Sequence, residues 1–176
     1  MKRIELPLQK SVRVTLKAGE RILLSGRIYT ARDMAHKRLV DMIDRREDLP
    51  VHLKDEILYY CGPTPPPPGR AIGSCGPTTS ARMDGFTLPL LKLGLAGMIG
   101  KGRRSKDVRQ AIKAFKAVYF IATGGAGALL SQKVDRMSVV AFRDLGAEAI
   151  YELRVKDFPV IVAIDTKGGD IYQMSP

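Results

Sequence analysis

The chain has 176 residues, 45% hydrophobic and 27% charged, the composition of a globular protein with room for one core, and a single domain over 1–176 is expected. No apolar run approaches the ~20 residues of a membrane span, and the opening MKRIELPLQK lacks the apolar centre of a secretion signal, so the expectation is a cytoplasmic protein with no membrane partner. Two cysteines are too few for a disulfide framework, and a net charge of +11 leaves three kinds of partner open: nucleic acid, an acidic subunit or an anionic substrate.

In chain order, Val12, Val14 and Leu16 alternate with polar residues at the period of a half-buried strand. Ala18-Gly19-Glu20 reads as a turn, and Arg21–Gly26 as the return strand. Ala35, Leu39, Met42 and Ile43 then share one helical face, which predicts a helix from about Ala31-Arg32-Asp33 to before Leu49-Pro50. Ile57–Cys61 reads as a buried strand running into CGPTPPPPGRAIGSCGPTT, Cys61 to Thr79. Four successive prolines allow neither helix nor central strand, so Pro65–Pro68 is expected to be extended.

From Thr78 onward the pattern alternates between helix and strand. Thr78 or Thr79 caps an irregular helix through Met83 to about Leu91, interrupted by Gly85 and Pro89. Gly97–Gly100 is a short strand before the loop Lys101-Gly102-Arg103-Arg104, and Ser105 caps a helix with Val108, Ala111, Ile112 and Phe115 on one face. Val118–Ala122 is a buried strand leading into Thr123-Gly124-Gly125-Ala126-Gly127 and a short helix. Val139-Val140, Ile150–Leu153 and Val160–Ile164 are read as separate further strands. The expected class is α/β with an N-terminal β portion.

Nucleic-acid binding is disfavoured. Aromatic residues make up only 6% of the chain, and none interleaves with the basic clusters as a stacking platform requires. Arg45-Arg46 and Arg103-Arg104 read as solvated surface pairs. Cys61, Cys75, His36 and His52 form no metal-ligand spacing, so this chain is expected to hold no metal by itself. Gly124-Gly125-Ala126-Gly127 lacks dinucleotide-loop spacing and reads as a tight turn. At Gly76–Asp84, the start of a helix brings free N–H groups, two threonine hydroxyls and Arg82 together, a site suited to an anion; a helix cap beside a surface arginine accounts for the same residues. Arg32, Arg82 and Lys101 all sit at element boundaries, and three such cations suit a small dicarboxylate.

Thr30-Ala31-Arg32-Asp33-Met34-Ala35-His36-Lys37-Arg38, then Cys75-Gly76-Pro77-Thr78-Thr79-Ser80-Ala81-Arg82-Met83-Asp84, then Lys101-Gly102 and Gly124-Gly125-Ala126 resemble, in that order, the beta subunit of class I fumarate hydratases and of the related L-tartrate dehydratases. The resemblance covers nearly the whole chain. It implies a swivelling three-layer β/β/α domain that works in a hetero-oligomer with an alpha subunit. That subunit would carry a four-iron, four-sulfur cluster on three cysteines, with one iron open to substrate. The implied activity is that of a hydro-lyase, the reversible dehydration of a 2-hydroxy dicarboxylate, malate to fumarate first and L-tartrate as the alternative. Carried over on the matching motifs, Thr78 is the proton-abstracting residue, and Arg32, Arg82 and Lys101 hold substrate carboxylates. Thr79 supports them, and His36 either supports Arg32 or packs inside its helix, the structural role being favoured. Arg103 departs from the family, where asparagine often follows Lys-Gly. The rival from another class is a basic regulatory or nucleic-acid-binding subunit.

Overall fold

The structure is a computed structural model and describes residues 1–122 and 126–174. Its strands are β1 (Lys2–Glu5), β2 (Arg21–Thr30), β3 (Ile57–Tyr59), β4 (Gly97–Gly100), β5 (Val118–Ile121), β6 (Val134–Ala141) and β7 (Ile150–Ile164). Its α-helices are α1 (Lys10–Arg13), α2 (Asp33–Asp44), α3 (Asp84–Lys92), α4 (Lys106–Phe115) and α5 (Gly127–Ser131). The α/β class is as expected. The neighbours β2, β3, β4 and β5 run parallel. β7 runs antiparallel to both β5 and β2, so these five strands close on themselves in a barrel-like ring. β1 adds in parallel outside β2, and β6 adds antiparallel outside β7.

The short parallel strands are apolar on both faces, as strands covered on two sides must be. Ile57, Tyr59, Ile99 and Phe120 belong to the cluster that fills the ring together with Ile22, Leu24, Leu153 and Phe158. Leu58, Met98 and Tyr119 belong to a second cluster, packed against Leu39 of α2, Leu90 of α3 and Ile112 of α4. Helices α2, α3 and α4 therefore lie on the outside of the parallel strands, against side chains one residue out of phase with the interior.

Two expectations fail. Val12 to Leu16 form no strand: Val12 and Arg13 N–H groups both donate to Gln9 O, which makes a single helical turn, and β1 pairs in parallel with β2 rather than in a hairpin. The segments Ile150–Leu153 and Val160–Ile164 are one strand, β7, although Pro159 lies between them. The proline is tolerated because the pairs of β7 with β6 end at Val155 and those with β5 begin at Ile161, so among the described residues Pro159 falls where that side of the strand has no paired neighbour to receive an N–H.

Cys61 to Thr79 is an ordered loop. Thr64 N–H donates to Ser74 O (3.0 Å), Gly73 N–H to Thr64 O (3.1 Å) and Ser74 N–H to Thr64 Oγ1 (2.7 Å), which closes the base of the proline segment. Pro65–Pro68 have no regular structure and lie exposed. Cys61 and Cys75 are both buried and unpaired in the ring interior. Among the described residues, no helix is long and apolar enough to cross a membrane.

Candidate active site

The parallel strands β2, β3 and β4 deliver their carboxyl ends to one rim, the place where α/β sheets carry ligand sites. Arg32 follows β2, Tyr60 follows β3, and Lys101 follows β4. The segment bearing Thr78 and Arg82 is laced onto that rim. Thr78 N–H donates to Tyr60 O (2.7 Å), Ser80 N–H donates to Lys101 O (3.0 Å), and Thr79 bridges in parallel to Lys101. Ala31 N–H donates to Tyr59 O (3.0 Å), which binds the Arg32 end to the same edge. Residue 100 has to be glycine here: a Cβ would collide with Ser80 Oγ and push the Thr78–Arg82 segment off β4.

The structure thus brings the positions of Arg32, Thr78, Thr79, Arg82 and Lys101 to one rim. Arg82 Nε donates to Asp33 Oδ1 (2.9 Å), and its Nη2 lies equally close to that oxygen. Arg32 Nε is 3.8 Å from Asp33 Oδ2, so one carboxylate lies between two guanidiniums. The Arg32 side chain runs across Gly62, where a Cβ would come within 3.0 Å of Arg32 Cδ. Thr78 is partly buried, while Thr79, Arg82 and Lys101 are exposed. Gly124 and Gly125 lie outside the described residues.

One expected detail differs. Arg82 lies on a 3₁₀ turn, Ser80–Met83, that precedes α3, and Thr79 sits at its cap position without a side-chain capping bond. The N–H groups of Thr78 and Ser80 are consumed by Tyr60 O and Lys101 O. Those two N–H groups are therefore not open to an anion.

His36 is fully buried. Its Nδ1 lies 2.8 Å from Arg32 O, so the neutral ring carries its proton there and donates it. Burial, first, and the Arg104 cation push its pKa down to about 4, against a smaller opposing pull from the Arg32 carbonyl. His36 Nε2, Arg32 Nε and Asp33 Oδ2 are buried atoms without a hydrogen-bond partner. Two of these atoms, Arg32 Nε and Asp33 Oδ2, face each other at 3.8 Å at the start of α2, while the His36 ring packs against Tyr60 and Phe86.

Arg104 overturns the reading of Arg103-Arg104 as a solvated pair. Arg103 is exposed and lies over the Tyr172 ring, but the Arg104 side chain is entirely buried. It forms an ion pair with Asp84 at 2.6 Å and sits over the rings of Tyr60 and Tyr119. Two adjacent arginines look alike in sequence. No local pattern separates them, because the partners of Arg104 come from distant segments.

Burial pushes the Cys75 thiol up to about 12 and raises Cys61 as well, so neither is poised as a thiolate ligand. Among the described residues, no three His, Cys, Asp or Glu side chains converge as a metal set. Among the described residues, two buried thiols without a converging third ligand do not fit an iron–sulfur cluster.

Comparison with known proteins gives a concordant picture. The family model described as Fumarase C-terminus matches residues 1–175. The chain is 41% identical over 155 residues to "Fumarate hydratase class I, aerobic" of Salmonella typhimurium, covering 87% of this chain and 27% of that protein. It is 38% identical over 156 residues to "Fumarate hydratase 2" of Leishmania major, covering 88% of this chain and 28% of that protein. It is 40% identical over 164 residues to "Putative L(+)-tartrate dehydratase subunit beta" of Methanocaldococcus jannaschii, covering 90% of this chain and 84% of that protein. The chain spans little more than a quarter of the two hydratases and most of the archaeal subunit.

Proposed function

The chain belongs to the Fumarase C-terminus family, and we propose that it is the beta subunit of a hydro-lyase that reversibly dehydrates a 2-hydroxy dicarboxylate, with malate and fumarate as the favoured pair and L-tartrate as the alternative. The observation that carries this reading is the single rim where Arg32, Arg82, Lys101 and Thr78 meet beside three unpartnered buried polar atoms. The fit to the archaeal subunit over most of its length supports a separate chain working with an alpha partner. The cluster implied by the resemblance belongs on that partner. The rim of this chain, as a single swivelling β/β/α domain, then closes against the partner's half of the site.

The residues of this chain have separable tasks. Arg32 and Arg82 are already set at a fixed distance by the shared Asp33 carboxylate, which prepares them to orient a planar dicarboxylate. Asp33 also restrains Arg82 before substrate arrives, so less rotamer freedom is lost on binding. Lys101 approaches from the neighbouring strand end and adds a point charge. Thr78 is held on the same rim by its N–H bond to Tyr60 O, and in this reading its hydroxyl takes the C3 proton. An unaided hydroxyl is a weak base; the surrounding cations favour its deprotonated form, and a carboxylate of the partner completes the relay.

The test is reconstitution with the alpha partner under anaerobic conditions and assay with malate, fumarate and tartrate. Turnover of one of them is expected, and none with this chain alone. In the assembled enzyme, Arg82→Ala is expected to lower kcat/KM by about ten- to a hundred-fold, the worth of a charge-assisted bond. Arg82→Lys is expected to recover only part of it. Tight RNA or DNA binding with a steep salt dependence and no turnover of any dicarboxylate would favour the non-enzymatic rival instead.

A further inference from the structure

The geometry points to Arg104 as a positioning residue that fastens the Thr78 and Lys101 segments to each other, an inference that rests on the hydro-lyase reading for its catalytic consequence but not for its structural one. Arg104 spreads one guanidinium over contacts to four parts of the fold. Nε donates to Asp84 Oδ1 (2.6 Å), at the start of α3. Nη2 donates to Thr87 Oγ1 (2.9 Å) and to Tyr60 OH (3.3 Å), which reaches one turn along α3 and the end of β3. Nη1 faces Met98 Sδ of β4 at 3.7 Å. The same group lies 4.9 Å from the centroid of the Tyr119 ring of β5 and 5.3 Å from that of Tyr60.

Three of these contacts pass on to the rim loops, through Tyr60, Tyr119 and Asp84. Tyr60 provides the carbonyl that holds Thr78 N–H. The Tyr119 hydroxyl lies 2.8 Å from both Ser80 Oγ and Gly102 O, so it joins the Thr78 and Lys101 segments. Asp84 uses its second oxygen to accept Ser105 N–H (2.7 Å), which closes the loop that begins at Lys101. The Tyr60 ring also packs edge-on against His36, whose Nδ1 bonds to the carbonyl of Arg32. Thr78 is thus two contacts from Arg104, and Lys101 and Arg32 are three. The Arg104 side chain itself is fully buried.

A buried cation is costly unless its partners are complete, and here they are supplied by a carboxylate, two hydroxyls and two ring faces. A simpler way to fill this volume would be an apolar side chain. The use of a planar fork in its place gives direction: lysine cannot reach Asp84, Thr87 and Tyr60 together. The network therefore specifies where the two loops sit rather than merely filling space.

Amide hydrogen exchange on the full chain and steady-state kinetics on the assembled enzyme test this with Arg104→Lys. Exchange at Thr78, Ser80 and Ser105 is expected to accelerate by about tenfold or more, with the amides paired between β2 and β7 unchanged. The kcat is expected to fall by about tenfold or more while KM changes by less than about threefold, because misplacing Thr78 acts on the transition state. Unchanged exchange at those three amides, uniform acceleration across the whole chain, or unchanged kcat despite local loosening would each overturn the inference. If Arg104→Lys does not fold, Tyr119→Phe carries the same test, since it removes one hydroxyl that joins Ser80 to Gly102. Loosening at Ser80 with loss of kcat is then expected, and wild-type behaviour would overturn the inference. A wild-type enzyme inactive on every 2-hydroxy dicarboxylate would defeat the hydro-lyase reading separately; the exchange pattern would still decide whether Arg104 fastens the loops.

Discussion

The two ends of the parallel strands treat charge in opposite ways. Near the amino ends of β3 and β4, charges are consumed within the fold. Arg13 Nη1 donates to both Leu8 O (3.0 Å) and Asp55 Oδ1 (2.9 Å), and Arg27 is paired with the buried Glu56. At the carboxyl ends, Arg32, Asp33 and His36 each keep a buried polar atom without a partner, and two guanidiniums share one carboxylate. Arg13 also leaves its Nε unpartnered, but its terminal nitrogen is doubly bonded. One end uses ion pairs to hold loops; the other holds polar capacity in reserve for something that arrives.

The sharpest way to break that contrast is at Thr78. In the assembled enzyme, Thr78→Ala is expected to reduce kcat by about a hundredfold or more, within the range for loss of a general base, with a smaller change in KM. Steady-state kinetics measure it, and near wild-type kcat would leave Thr78 as a simple structural residue.

Next in size is the pH response of His36. Its pKa in the fold lies near 4, below the ordinary histidine value, so the native state binds fewer protons than the unfolded chain between the two. The contribution is complete above about pH 6.5 and is lost as pH falls toward 4, about 3 kcal/mol in all. Denaturant unfolding at pH 7 and pH 4 should show the loss, and the ring resonances should titrate near 4. Titration near 6.5 would refute the buried neutral state.

At the opposite end, Arg13→Met is expected to cost about 2 kcal/mol of stability through the lost charged hydrogen bonds. The kinetics of the assembled enzyme should be unchanged. A kinetic defect without a stability loss would erase the distinction between the two ends. The smallest expected effect is at the thiols. Cys61 and Cys75 should resist alkylation in the native chain and react fully once it is unfolded, and Cys61→Ser or Cys75→Ser should leave the iron content of the assembled enzyme unchanged. Loss of iron in either variant would place a ligand on this chain.

The parallel half was legible in the sequence because its signals are local. Short apolar runs gave β3, β4 and β5, while a capped amphipathic pattern gave α4. The rim residues were legible through motif resemblance, which linked Arg32, Thr78, Arg82 and Lys101 before any contact was known. What stayed hidden depends on distant partners. The alternation of Val12, Val14 and Leu16 suggested a strand, yet Arg13 is turned inward by Leu8 O and Asp55, a pairing that no local pattern encodes. Ring closure was hidden for the same reason, since it depends on which strands β7 finds. Arg104 was read as surface because a buried guanidinium needs Asp84, Thr87 and two tyrosines from separate segments, and those meet only in the fold.

The strap strand β7 also sets the order in which the molecule can be made. It pairs with β2 and β5, and its partners Arg21–Tyr29 lie far earlier in the chain. During synthesis from the amino terminus, β2 to β5 and their helices emerge first, with two unsatisfied strand edges and no means of closing. Closure waits for Ile150–Ile164, so it depends on contacts of long sequence separation, the kind that slow folding. A chain halted before Ile150 would present both edges to its neighbours and is expected to aggregate. Completion of the last strand converts an adhesive half-ring into a body with its interior sealed.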